Sequence, residues 1–227
     1  MTQKRHFDAD LDDLRALLLR MGSLCEEMIQ YAVKVIVERD AGHVAAVQEW
    51  ESQVNLLHIE IDEVCLKLIA LHQPAAGDLR FIAAALKVNS DLERIGDQAV
   101  NIAETATYLI KEPGIKMGDI PRMVEVAVGM VKDALDAFSR GDVELAQDVI
   151  RRDDEEDRLK SQTFNELVQL MQSDASTIQR GMDVILISRN LERVADHATN
   201  IAEDVVFMVV GKDIRHPGSR ACEGSGA

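Results

Sequence analysis

Residues 92–104 read LERIGDQAVNIAE, and residues 191–203 read LERVADHATNIAE. Nine of the thirteen positions are identical, at an offset of 99 residues. That offset is too long for a solenoid repeat, whose period is about 20–50 residues. The chain is therefore read as two tandem copies of one unit. The retained residues include Glu93, Asp97, Asn101 and Glu104, with Glu192, Asp196, Asn200 and Glu203 as counterparts. A hydrophobic core has no use for these oxygen donors, so the repeat points to chemistry as well as to architecture.

Both copies sit in segments whose apolar residues recur at helical spacing. With 3.6 residues per turn and Glu93 at zero, Asp97, Asn101 and Glu104 fall at roughly 40°, 80° and 20°. They form one narrow stripe. Ile95, Ala99 and Ile102 fall at roughly 180–240°, on the opposite side. The apolar side must face a core, so the carboxylates are expected along the surface.

Composition agrees with a helical chain. Only four prolines occur in 227 residues and aromatic content is 4%, which disfavours strands rich in aromatic side chains. Apolar content of 47% is ample for a core. The formal charge of −15 argues against nucleic acid and against adsorption to anionic lipid, both of which select Lys and Arg. A cation or a basic protein face suits such a surface. Cys25, Cys65 and Cys222 are sparse and odd in number, as expected of reduced thiols. The opening MTQKRHFDADLDDL turns acidic at once, and no apolar run approaches the roughly 20 residues of a membrane span. A cytoplasmic protein without membrane insertion is expected.

Working outward, six helices are expected. The first covers about Phe7 to Arg39 and is broken at Asp40-Ala41-Gly42. The second runs from about His43 to His72 and ends at Gln73-Pro74. The third, from about Ala75 to Lys111, carries the first motif. Glu112 to Asp119, with Pro113, Gly114 and Gly118, reads as a connection between halves. The second half follows suit, with helices at about Pro121–Ser139, Val143–Gln172 and Ala175–Val210. Gly211 suits a helix C-terminus. The expected fold is all-α: two antiparallel three-helix bundles, residues 1–113 and 119–211. Residues 212–227 are read as a C-terminal tail whose end after Pro217, with ACEGSGA, is expected to be disordered.

The penultimate helix of each half adds a second stripe. Glu51 and Asn55 are four apart on one, Asp153 and Asp157 on the other. If the second and third helices of each half are neighbours, two oxygen-rich stripes meet in one groove per half. Such oxygens suit hard or borderline cations such as Mg²⁺, Mn²⁺, Fe and Zn²⁺. The competing explanation is a solvated face with ion pairs such as Arg94–Asp97 and Arg193–Asp196, worth about 0.2–0.5 kcal/mol each. Ferritin-like di-iron chemistry fits poorly, because it needs Glu-x-x-His facing a bundle core. The residue three after Glu93 is Gly96, and after Glu192 it is Ala195. No glycine-rich phosphate loop, G-x-S-x-G or H-E-x-x-H occurs. A metal-dependent hydrolase or oxidase using the same carboxylates remains the alternative from another class.

The doubled L-E-R-[IV]-[GA]-D-x-A-x-N-I motif, the segment QPAAGDLRFIAAALKVNSDLERIGD from Gln73 and the ending GKDIRH from Gly211 together resemble the PhoU family. The resemblance implies multinuclear metal clusters on the bundle surface. The matching positions are Glu93, Asp97, Glu192, Asp196, Asp153 and Asp157, with Glu51 and Asn55 in the first copy and Asn101 and Asn200 beside them. Asn55 stands where the second copy has Asp157, so the first site carries one fewer charge. The resemblance further implies a homodimeric negative regulator of phosphate uptake and phosphate-responsive signalling, not an enzyme. It would contact a phosphate transporter's ATPase subunit and a sensor histidine kinase at the inner face of the membrane.

Overall fold

The computed structural model describes residues 2–111, 114–212 and 214, with side chains from residue 7 onward. It contains six long helices: α1 (Thr2–Val37), α2 (Gly42–His72), α3 (Ala76–Leu109), α4 (Ile120–Arg140), α5 (Val143–Ser173) and α6 (Ile178–Val210). There is no strand among the described residues. The expected disordered end of the tail lies outside the described residues.

The helix ends show how local chemistry sets the breaks. Arg39 adopts a left-handed conformation at φ 53°, and the Gly42 amide donates to Asp40 Oδ1 at 2.8 Å. That turn stops α1 two residues before the expected limit and lets α2 begin at Gly42. Gln73 ends α2 at φ 46°, directly before Pro74. Asp142 caps α5 by accepting from the Leu145 amide at 3.0 Å, which satisfies one of the free N–H groups of the first turn. The last helix does not start at Ala175. Asp174 first organises a short 3₁₀ turn, Ala175–Thr177, and the α-helix follows from Ile178. Gly211 caps α6 at φ 75°, a conformation that costs glycine little.

Helices α1, α2 and α3 pack on one another, and α4, α5 and α6 do the same. The halves then join like to like, α3 against α6 and α1 against α4, which leaves α2 and α5 on the outside. One continuous core runs through both halves, from Leu14 and Met21 on α1 to Ile187 and Ile201 on α6. The residues opposite the repeated acids, Ile95, Ala99 and Ile102 with Val194, Ala198 and Ile201, are all fully buried in it. Gly22 of α1 lets Leu135 of α4 pack directly on its backbone: a Cβ there would lie 2.0 Å from Leu135 Cδ1.

The seam between halves is also polar. His197 Nδ1 lies 2.8 Å from Asp91 Oδ1, and Lys87 Nζ is 2.9 Å from the buried Asp204. Arg80 Nε donates to the Met208 carbonyl at 3.1 Å. These pairs span more than 100 residues of sequence. They link α3 to α6 along much of their length and fix how the two acidic stripes are placed.

Candidate cation-binding grooves

In the second half, α5 and α6 are antiparallel neighbours and their stripes meet. The Lys160 ammonium donates to Glu192 Oε1 at 2.6 Å and to Asp157 Oδ1 at 3.0 Å. Four residues back along α5, Asp153 Oδ1 accepts from the Thr199 hydroxyl of α6 at 3.3 Å. Glu192 is only 20% exposed and Asp153 is half-buried, while Asp157 and Asp196 stand exposed, so the stripe dips into the groove at Glu192. Asp153, Asp157, Glu192 and Asp196 thus line one groove, as the spacing implied.

The electrostatics show how crowded it is. Loss of hydration, followed by the charges of Glu192, Asp153 and Asp157, pushes the Asp196 carboxyl up to about 6. Partial burial and then Asp157 raise Asp153 above the ordinary carboxylate range. The hydrogen bond to Glu192 raises Lys160, which keeps its ammonium charged between the acids.

A fifth acid in this groove was not visible in the motif. Glu156 of α5 is 0% exposed, and both its carboxylate oxygens lack a hydrogen-bond partner. Burial first, then Glu155, Glu192, Asp153 and Asp157, push it up to about 8. One signal existed. The offset of 102 residues that places Glu51 and Asn55 on Asp153 and Asp157 places Val54 on Glu156.

The corresponding groove of the first half, between α2 and α3, carries fewer acids. Asn55 Nδ2 donates to Glu51 Oε1 at 3.2 Å along α2. Arg94 pairs with Glu93 at 3.6 Å, instead of with the expected Asp97. No hydrogen bond or ion pair among the described residues joins Glu51 or Asn55 to Glu93 or Asp97 across the groove. His58 stands at the Lys160 position and lies 3.8 Å from Asp62 of its own helix. Asn101 and Asn200 are exposed, and Asn200 Nδ2 turns toward Asp91 of the other half at 3.3 Å.

As the side chains stand, no three His, Cys, Asp or Glu groups among the described residues converge on one point to hold an ion. In the second groove Lys160 sits between two of the candidates and supplies the positive charge itself. The donor set nevertheless fits a hard cation there. The neighbouring carboxylates raise the proton affinity of Glu156, Asp196 and Asp153, two oxygens are buried without a partner, and a cation bound by oxygen relieves both. The first groove offers three carboxylates and one amide, a weaker set by charge.

Comparison with known proteins follows this duplication. The PhoU domain model matches residues 18–106 and again 120–205. Proteins named phosphate-specific transport system accessory protein PhoU homolog are similar over nearly the whole chain. One from Pseudomonas aeruginosa is 42% identical over 221 residues, covering 94% of this chain and 89% of the relative. One from Pseudomonas putida is 41% identical over 216 residues, covering 94% and 84%. The crystal structure of PhoU from Pseudomonas aeruginosa superposes with TM-score 0.87 at 40% identity, covering 91% of this chain and all of that one. A phosphate transport system regulatory protein PhoU from Streptococcus pneumoniae superposes with TM-score 0.86 at 27% identity, covering 92% and 100%. The chain belongs to the PhoU family.

Proposed function

From that membership, we propose that this protein is a non-catalytic accessory of a phosphate transport system, one that restrains phosphate uptake and phosphate-responsive gene expression. It acts by contact with the transporter's ATPase subunit and with a sensor histidine kinase, as a homodimer carrying divalent or trivalent ions in its grooves. The observation that carries this reading is the match of both halves to the family, together with relatives named as accessory proteins. No helix of the described residues is long and apolar enough to cross a membrane, so contact with a transporter would run through protein. Leu56, Ile59, Leu66 and Leu71 stand exposed on α2, and clustered apolar exposure of this kind suits a protein surface.

Deleting the gene is expected to raise phosphate-responsive expression in phosphate-replete medium, measured with a transcriptional reporter. Unchanged expression would sink the reading. Pull-down with the transporter ATPase, for wild type and for Asp97→Asn and Asp196→Asn, tests whether the grooves matter to the contact.

Cation binding is expected to follow pH. Ligand oxygens must be deprotonated, and Asp196 takes up its proton near pH 6. Mn²⁺ affinity should therefore fall between pH 8 and pH 5 in a calorimetric titration. Affinity undiminished at pH 4 would exclude carboxylate ligation.

A further inference from the structure

The groove between α5 and α6 holds one acid that the repeated motif does not include and the family resemblance does not assign. Glu156 lies three residues after Asp153 and one before Asp157, at the core edge of the α5 stripe. It is wholly buried, and neither carboxylate oxygen has a partner. A buried polar group without a hydrogen bond is costly, so structure alone gives no reason for an acid here. Its counterpart shows what structure alone prefers. Val54 fills the equivalent place in the first half, 1% exposed and packed over Gly96, where a Cβ would lie 3.4 Å from Val54 Cγ1. The chain thus spends stability on a carboxylate in one repeat only, in the groove that Asp153, Asp157, Glu192 and Asp196 line.

We propose that Glu156 is a fifth carboxylate of the second repeat's cation site, and that this repeat binds a hard divalent or trivalent cation more tightly than the first. The inference rests on the cation-binding reading above and adds to it which site is stronger and why. Affinity in oxygen-ligand sites rises with the number of charged ligands. The second groove offers Asp153, Glu156, Asp157, Glu192 and Asp196. The first offers Glu51, Glu93 and Asp97 with the neutral Asn55. Glu156 acts here whether it touches the ion directly or faces it through a neighbouring ligand.

The test uses the full chain, stripped with chelator and titrated with Mn²⁺ alone at pH 8, free ion being read by electron paramagnetic resonance. Wild type is expected to show a tighter and a weaker class of site. Asp196→Asn removes the tighter class and Asp97→Asn the weaker. Glu156→Val and Glu156→Gln each weaken the tighter class by about 10–100-fold and leave the weaker one in place. Circular dichroism and a melting temperature in chelator no lower than wild type show that the valine variant is folded.

Retention of the tight class by folded Glu156→Val overturns the inference while the cation reading stands. Loss of the tight class in Asp97→Asn overturns it too, by placing that class in the first repeat. Absence of any Mn²⁺ binding by wild type defeats the cation reading itself, and the inference with it.

Discussion

Replacing Glu156 with valine is expected to raise the melting temperature of chelator-treated protein by roughly 5–10 °C at pH 8. The sign follows from proton linkage. Burial and four neighbouring acids push the folded-state Glu156 from the ordinary 4.5 up to about 8. Below pH 4.5 the carboxyl is neutral both folded and unfolded, and the fold carries only the cost of an unpaired polar group, none from its charge. As pH rises from 4.5 to 8, the unfolded chain gives up the proton while the folded one retains it, so stability falls. Asp196, pushed up to about 6, and Asp153, also raised, act in the same direction.

Metal-free wild type should thus melt lower at pH 8 than at pH 5, against the common trend of best stability between about pH 5 and 8. The valine variant removes the largest of these contributions. Its advantage should shrink near pH 4.5 to what removing an unpaired neutral carboxyl gives, as differential scanning calorimetry at both pH values would read. An equal gain at both, or a loss at pH 8, would contradict the assignment of Glu156 as an unpaired buried acid. Saturating Mn²⁺ should stabilise wild type by mass action and narrow the difference between the two proteins.

Phe138→Ala is expected to cost about 3–5 kcal/mol, the range for truncating a buried aromatic side chain. Phe138 is the largest fully buried side chain among the described residues, and its ring stacks on Phe81 at 5.3 Å and 23°. The Arg15 guanidinium lies 4.4 Å from the Phe81 ring centre, so a side chain of α1 joins the same stack. Phe81 belongs to the first half and Phe138 to the second. Because the core is continuous, the substitution should lower one cooperative transition by roughly 10 °C. Two resolved transitions, only one of them shifted, would mean that the halves unfold independently. A loss below 1 kcal/mol would mean that the surrounding side chains collapse into the space.

The duplication, the number of helices and the core face of α3 and α6 were legible in residues 92–104 and 191–203. The helix ends were nearly so, because proline, glycine and Asx turns act within a few residues. The start of α6 was missed, since the 3₁₀ turn after Asp174 depends on one side-chain hydrogen bond to Ser176. The acidic stripe was placed correctly on the helix, and Asp157 and Asp196 are exposed as expected, but Glu192 is not. Glu192 sinks beside Lys160 because α5 packs against α6, and no property of α6 alone announces that. Glu156 escaped notice because an acid beside four other acids reads as a solvated surface until burial is known. Asp91 and His197 were likewise unremarkable, 106 residues apart in the chain and 2.8 Å apart in the fold.

The sequence by itself determined the all-α architecture, its internal duplication, the family and the face of each helix that carries acids. These follow from residue order, since the 3.6-residue period maps spacing onto faces without reference to any neighbour. The tertiary structure alone decided which faces meet and how far each is stripped of water. It placed α3 against α6, drew five carboxylates into the second groove, and left only three in the first. That could not be read along the chain, because the register between helices remote in sequence is set by core packing and by pairs such as Lys87–Asp204. A carboxylate's proton affinity then depends on the resulting burial and on charges brought near it from elsewhere.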